Sequence, residues 1–220
     1  PNTARQEASH AHQTVQLGNH VLVCDLGTDT IMCYPLDGAA EQETSSVPRE
    51  ALKVPPGYGP RHIIVFPGDE RCCVLCELTS RLLLCAVKVV SGTLKLEVIQ
   101  ECLSTQITKA DPLDSDDATK SLPAALVFNS DTGRLFVSNR FIDTISEWQC
   151  NTGTSADGLT FVREFACGGK TPRDICLDRS NRWLLVANQD SSNIATFDVS
   201  AADIGNPKSV PCGSPSCIHF

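Results

Sequence analysis

The chain has 220 residues, of which 41% are hydrophobic and 20% charged, and its formal net charge is −8. This composition is typical of a soluble globular protein with one core of ordinary size or two small ones. The acidic balance, without any block of Lys and Arg, argues against a nucleic-acid partner, and apolar runs of about eight residues are too short to span a membrane.

Taken in chain order, the predicted elements form four similar units. Three units place a proline seventeen residues before the end of a second apolar run, without a gap. The residue that ends this run is called the second slot here. In chain order the second slot is Leu26, Glu77, Arg140 and Gln189. The slots are 51, 63 and 49 residues apart, and the longest spacing contains Ser104–Ser121, an acidic stretch that we expect to form a loop outside the sheets.

Each unit reads as four short strands separated by turns. The third unit shows this as "AALVF", "LFVSN", "ISEWQ" and "LTFVREF". A period near 50 residues with four strands is typical of a β-propeller blade. An irregular all-β sandwich, the alternative, does not explain the constant seventeen-residue spacing. We therefore predict an all-β propeller chain, one domain over 1–220, with blades at about 9–56, 57–121, 122–169 and 170–212.

The last eight residues, "GSPSCIHF", repeat the start of a unit (compare "GPRHIIVF") and then stop. Propellers close by pairing a terminal strand with the first blade. We therefore expect residues 213–220 to form a closing strand whose partner strands precede Pro1, so that this chain covers about the last four blades of a longer propeller.

A first slot follows the proline of each unit, and it also carries polar residues. It is Arg61, Ala124 and Arg173 in the last three units. In the first unit it is His10 if the spacing has no gap and His12 if a shortened turn is allowed. We prefer His12, because a turn absorbs a deletion more easily than the start of a strand does. In a propeller the first strand of each blade lines the central channel, so the two slots lie around that channel. Different polar residues at these equivalent positions predict a binding or catalytic site.

Twelve cysteines are present, mostly inside apolar runs, where they read as buried free thiols rather than as disulfides or a zinc site. His62 and His219 should alternate away from the slots, and Trp148 and Trp183 should pack in the core. Asp114–Asp117 lacks the spacing of a calcium loop. No metal or cofactor is predicted.

Several stretches resemble one family closely. They are "SHAHQ", "DLGTDTI", "GPRHIIVFP", "CELTS", "VSNRFIDTI", "GGKTPRDICLD", "RWLLVANQDSSNIATFDV" and "GSPSCIHF". The chain resembles, over nearly its whole length, the lactonase family of seven-bladed propellers, which includes 6-phosphogluconolactonase and carboxy-cis,cis-muconate cyclase. The resemblance implies seven blades, about three of them before Pro1.

The resemblance also implies a set of site residues. It places the catalytic group at a histidine of the H-x-H segment, for which we take His12, and at Arg61, Glu77 and Arg140. We add His10, Arg173 and Gln189 as a substrate-binding group, because they are the alternative histidine and the residues at the equivalent slots. A histidine supplies a base for water and arginines bind an oxyanion or an anionic substrate, which suits a small lactone or carboxylate. The predicted function is lactone hydrolysis of the 6-phosphogluconolactonase type.

Alternatives remain open at this point. The same parts could serve a muconate cycloisomerase, or the propeller could be a binding module without turnover. The Arg61–Glu77 pair could instead be a salt bridge that joins two strands, Arg140 could cap a blade edge, and the histidines could be solvent-exposed. We expect a cytoplasmic protein, and the oligomeric state is not readable from the sequence.

Overall fold

The computed structural model describes residues 2–36, 47–90, 93–107, 121–151, 158–201 and 203–219. The fold is all-β, and no helix long and apolar enough to cross a membrane is found among these residues. The chain divides into two compact units, Pro1–Cys102 and Leu103–Phe220. From here on, the first and the second unit mean these two halves of the chain and not the four repeats of the sequence. Each unit contains two four-stranded sheets, in which the strands lie in chain order.

The first unit contains sheets β1-β2-β3-β4 and β5-β6-β7-β8. The strands of the first sheet are β1 (Ala11–Leu17), β2 (His20–Asp25), β3 (Thr30–Pro35) and β4 (Arg49–Lys53). Those of the second are β5 (Pro60–Val65), β6 (Arg71–Cys76), β7 (Arg81–Val90) and β8 (Thr93–Leu103). The first sheet is antiparallel throughout, and β6 pairs antiparallel with both β5 and β7.

The second unit repeats this arrangement. Its first sheet contains β9 (Leu122–Asn129), β10 (Arg134–Arg140), β11 (Thr144–Asn151) and β12 (Gly158–Ala166). Its second sheet contains β13 (Pro172–Leu177), β14 (Trp183–Asn188), β15 (Asn193–Asp198) and β16 (Lys208–Pro211). The four strands read from the third unit of the sequence lie inside β9 to β12, so that prediction is confirmed, and the all-β fold with four-stranded sheets is confirmed with it.

The repeat is visible in the backbone of one loop. The loops after β2, β6, β10 and β14 each span four residues between a paired residue on one strand and its partner on the next. The last residue of each loop has a positive φ of 51–57°: Asp29, Ser80, Asp143 and Ser192. These positions are 51, 63 and 49 residues apart, because the second slot is the first residue of the same loop. The spacing of the second slots in the sequence is therefore the spacing of one turn that recurs in all four sheets.

Buried apolar residues join the two sheets of the first unit. This cluster contains five cysteines, which are Cys24, Cys33, Cys72, Cys76 and Cys85. Burial raises the pKa of the Cys24 thiol well above its usual value, so this group packs as a small hydrophobic side chain. All twelve cysteines carry free thiols in the structure.

The predicted loop at Ser104–Ser121 and the predicted closing strand at 213–220 contain no strand in the part of each that the structure describes. Residues 104–107 and 121 lie outside the strands, whereas 108–120, which include Asp114–Asp117, lie outside the described residues. The expected closing strand is not present over 213–219, since a strand requires a hydrogen-bonded neighbour. The backbone N–H of Ile218 instead donates to Oδ2 of Asp174 at 2.8 Å, so a side chain replaces the ladder contact.

Candidate functional site

The first slot coincides with a β-bulge at the start of each sheet. The register shifts by one residue in the pairing of β1 with β2, of β5 with β6 and of β13 with β14, and the residues at these shifts are His12, Arg61 and Arg173. Between β9 and β10 the corresponding irregularity includes Ala124. A bulge interrupts the alternation of side chains and turns one of them in a new direction. The backbone therefore sets these side chains apart from the rest of each strand.

This register decides which histidine occupies the slot. His12 lies at the bulge, between the Ala11 and Gln13 pairs, as Arg61 does in the next sheet. His10 lies two residues earlier, where its carbonyl accepts from the N–H of Leu26 at 3.0 Å. Its Nε2 lies 2.8 Å from Oε1 of Glu7. His10 is thus placed before the strand, and its predicted role in substrate binding stays a prediction.

The second slot is fixed by backbone contacts on either side of the loop. The N–H of Glu77 donates to the carbonyl of Gly59 at 2.8 Å, and the N–H of Gly59 donates to the buried carboxylate of Asp29, also at 2.8 Å. Gly59 has φ +64°, and a Cβ there would collide with the side chain of Leu78. A glycine is therefore required where the chain approaches Arg61.

The centre of the candidate site is the carboxylate of Glu77, which is completely buried. Its Oε2 accepts from Nη1 of Arg61 at 2.7 Å, and Arg61 is only 6% exposed. The same Nη1 lies 3.3 Å from Nδ1 and 3.2 Å from Nε2 of His12, whose side chain is exposed. The structure thus brings three of the predicted residues into direct contact.

A fourth residue, Arg5, was missed by the sequence reasoning. Its Nη2 donates to Oε1 of Glu77 at 2.7 Å, so the two carboxylate oxygens each bind one guanidinium group. Arg5 lies before β1, outside the repeated units, and its contact with Glu77 spans 72 residues of sequence. No repeated spacing points to it, and only the resemblance-bearing stretch that begins at Ser9 lies nearby.

The remaining predicted residues belong to the second unit. Arg140 is 7% exposed, its Nε donates to the carbonyl of Leu122 at 2.9 Å, and its guanidinium lies 5.9 Å from the ring centre of Phe141. Nη1 of Arg173 donates to Oε1 of Gln189 at 3.3 Å. These residues occupy the same slots as those of the first unit. Their convergence with His12, Arg61 and Glu77 stays a prediction.

His62 follows Arg61 and is partly buried. Burial, together with the positive charge of Arg61, lowers the pKa of His62 to about 3, so its ring is neutral at physiological pH. Among the residues that the structure describes, no group of three or more His, Cys, Asp or Glu side chains could hold a metal ion.

The family model "Lactonase, 7-bladed beta-propeller" matches residues 1–220. The chain belongs to this family. The resemblance seen in the sequence is therefore confirmed, and the four-stranded sheets are blades of the seven-bladed type.

Relatives with functional names are similar over most of this chain. It is 27% identical to a 6-phosphogluconolactonase of Bacillus subtilis over 98% of its length, and 29% identical to a 6-phosphogluconolactonase of Formosa agariphila over 87%. A solved structure of a periplasmic gluconolactonase from Pseudomonas aeruginosa covers 98% of the chain with a TM-score of 0.78 and 27% identity. The chain spans 58%, 51% and 58% of the length of these three proteins, respectively.

Proposed function

We propose that the site around Glu77 opens the lactone of a small sugar acid, as the names of the relatives suggest for those proteins. The observation that carries this proposal is the direct contact of an exposed imidazole, His12, with a buried arginine, Arg61, at two equivalent bulges. A base and a fixed cation side by side are the two groups that ester hydrolysis needs. The same names favour lactone opening over muconate cycloisomerisation or binding without turnover.

In the proposed reaction His12 accepts a proton from a water molecule while the water oxygen attacks the lactone carbonyl carbon. The carbonyl π electrons move to oxygen, and a guanidinium N–H of Arg61 stabilises the oxyanion. When the carbonyl re-forms, the bond between carbon and the ring oxygen breaks, and the proton on His12 passes to that oxygen. The product is a hydroxy acid, which releases one proton at neutral pH.

Glu77 has a positioning role in this scheme. Both of its oxygens accept from guanidinium groups and its side chain is fully buried, so it contacts Arg61 and not the solvent from which the attacking water comes. Charge-assisted bonds of this kind are short and directional, and they hold Arg61 in one orientation beside His12. We keep Arg140 in the catalytic group, as a second cation for the anionic substrate or the oxyanion, and assign Arg173 and Gln189 to substrate binding in the complete protein.

The predicted cytoplasmic location is retained as part of the proposal. Free thiols at all twelve cysteines suit a reducing compartment, although the Pseudomonas relative is described as periplasmic.

The test follows proton release during opening of 6-phosphoglucono-δ-lactone and of glucono-δ-lactone, with spontaneous hydrolysis subtracted. Arg61→Gln should lower kcat by about a hundred- to a thousandfold, the usual loss for one oxyanion donor. His12→Asn should lower kcat by about a hundredfold or more with little change in KM.

The control is Arg182→Gln, because Arg182 pairs with Asp198 at 2.7 Å on an exposed surface outside the slots. Thermal melts establish that each variant is folded. Full activity of the His12 and Arg61 variants would mean that the Arg61–Glu77 pair only joins two parts of one blade. A wild-type protein that opens neither lactone would refute the proposed function.

A further inference from the structure

Glu77 carries one negative charge and contacts two guanidinium groups, Arg5 and Arg61, at 2.7 Å each. Taken together the three side chains have an excess of one positive charge. One carboxylate offsets only one of the two positive charges. The uncompensated positive charge attracts an approaching anion, and Arg5 is the more exposed of the two arginines that such an anion could meet.

The two arginines differ in access. The side chain of Arg61 is 8% exposed, whereas that of Arg5 is 40% exposed. A guanidinium has five N–H donors in a planar fork, and one of them on Arg5 is used for Glu77. Arg5 therefore presents charge and donors toward solvent from an anchored position, while Arg61 is held deeper beside His12.

The segment before β1 is built to hold Arg5 there. The carbonyl of Asn2 accepts from the N–H groups of Arg5 at 3.1 Å and Gln6 at 2.8 Å, which closes a turn. Nε2 of Gln6 donates to the carbonyl of Leu26 at 2.9 Å. A Cβ at Gly27 would collide with the backbone carbonyl of Ala8, so the segment lies directly on the loop after β2.

The same segment is tied to the end of β2. Oγ of Ser9 donates to Oδ2 of Asp25 at 2.5 Å, and the N–H of His10 donates to Oδ1 of Asp25 at 2.8 Å. The pKa of Glu7 is lowered by a backbone hydrogen bond, by His10, whose Nε2 lies 2.8 Å from Oε1 of Glu7, and least by the charge of Arg5. The segment is thus anchored by Arg5 itself and by the contacts that follow it in the chain, which lowers the entropy cost of using Arg5 to bind a ligand.

We propose that Arg5 is a specificity-determining residue that binds the anionic substituent of the substrate, a phosphate or carboxylate group away from the reacting carbonyl. Arg61 stabilises the oxyanion that forms at the reacting carbonyl. This inference rests on the proposed function. Of the two arginines that contact Glu77, Arg5 then recognises the substrate and Arg61 takes part in the reaction. A planar fork suits either anion, because both offer two oxygens to a bidentate contact.

The test uses the complete protein and compares a lactone that has a phosphate with one that does not. Arg5→Gln should reduce kcat/KM for 6-phosphoglucono-δ-lactone by about ten- to a hundredfold, mainly through KM, because one charge-assisted contact is lost. The ratio of kcat/KM for the two lactones is the quantity that tests the role of Arg5, because a loss that acts through Glu77 and Arg61 lowers both lactones alike, whereas a lost phosphate contact lowers only the phosphorylated one. Arg5→Lys should recover part of the loss, since it keeps the charge but not the fork.

Two variants sharpen the result. Arg182→Gln, the surface control, should discriminate between the lactones as the wild type does. Gly27→Ala displaces the segment without removing Arg5, so it should reduce kcat/KM more for the phosphorylated lactone than for glucono-δ-lactone. A loss of equal size for both lactones, or a loss in kcat alone, would show that Arg5 acts through Arg61 and would overturn the proposal. No loss at all would also overturn it.

Failure of the proposed function gives a different result. If the wild type opens neither lactone, calorimetric binding of inorganic phosphate decides the role of Arg5. Binding that is lost in Arg5→Gln and kept in Arg182→Gln supports an anion site at Arg5. Equal binding by both variants, or none by the wild type, refutes it.

Discussion

The Arg61–Glu77 pair of the first unit and the Arg173–Gln189 pair of the second occupy the same backbone positions. In both, the arginine lies on a bulge and its partner is the first residue of a four-residue loop. The first is a buried ion pair, 2.7 Å long, and the second is a half-buried hydrogen bond, 3.3 Å long, between a charged arginine and a neutral amide. The replacement of a carboxylate, Glu77, by an amide, Gln189, at the same backbone position therefore changes the net charge of the pair. The carboxylate gathers two arginines, whereas the amide contacts one and leaves its charge uncompensated within the pair.

Exchanging the two partners gives the largest expected effect. Glu77→Gln places the neutral chemistry of the second unit between Arg5 and Arg61, which leaves two buried or half-buried charges without their carboxylate. We expect the free energy of unfolding to fall by about 3 kcal/mol, as is common when one member of a buried ion pair is removed. Gln189→Glu should change it by less than about 1 kcal/mol, because that position is more exposed.

Urea denaturation followed by circular dichroism measures both variants, and each unfolding slope should match that of the wild type. Equal effects of the two exchanges would mean that the buried carboxylate is no more important to the first unit than the amide is to the second.

A second contrast lies one residue later, where the first unit has His62 and the second has Asp174. The lowered pKa of His62, about 3, means that the folded protein keeps this ring neutral, whereas the unfolded chain protonates it near pH 6.5. The unfolded state thus binds more protons between these values, and stability falls as the pH is lowered. From pH 6.5 to pH 5 the loss should be about 2 kcal/mol.

His62→Gln removes this contribution, so its urea midpoint should fall less steeply over the same pH range. The quantity to compare is the difference between the two proteins, because carboxylates elsewhere titrate in both. Parallel pH profiles would show that the imidazole is solvated and not held neutral by burial.

The smallest expected effect concerns the second residue of the four-residue loop that begins at the second slot. This residue is Leu78 in the first unit and Phe141 in the second. Leu78 is 4% exposed, whereas Phe141 is 51% exposed and has φ +70°. A left-handed backbone is unfavourable for a bulky side chain and is tolerated by asparagine. Phe141→Asn should raise the free energy of unfolding by about 0.5–1 kcal/mol, after the loss of its contact with Arg140.

Asp69→Asn is the matched control, because Asp69 is exposed with φ +58° and already tolerates that conformation. Melting temperatures of the two variants are sufficient. A lower melting temperature for Phe141→Asn would mean that the ring contributes more through packing than its backbone costs.

The repeat could be predicted from the sequence because each period contains the same turn. Asp29, Ser80, Asp143 and Ser192 share one backbone conformation, and turn chemistry is local. The Arg61–Glu77 contact was also predictable, because two strands of one hairpin fix the separation of their ends. The choice between His10 and His12 needed the bulge register, which a shortened turn obscured.

Other features depended on contacts that no local pattern encodes. Arg5 reaches Glu77 from a segment outside the repeat, and the position of that segment depends on Asp25, Leu26 and Gly27. The absence of a strand over 213–219 depends on which neighbours supply hydrogen bonds, as the contact of Ile218 with Asp174 shows. Sequence periodicity predicts the elements that are formed by local contacts. It does not predict the position of segments that are held by residues far away in the sequence.

The bulge at the start of each blade has a consequence for how such a protein changes over evolutionary time. The bulge is a property of the backbone, and it persists with a histidine, an arginine or, in the irregular pairing of β9, an alanine at the position. Side chains at these positions can therefore be exchanged without rebuilding the sheets that hold them. Selection for a new substrate could act on one blade at a time, in small steps, while the remaining blades continue to fold as before.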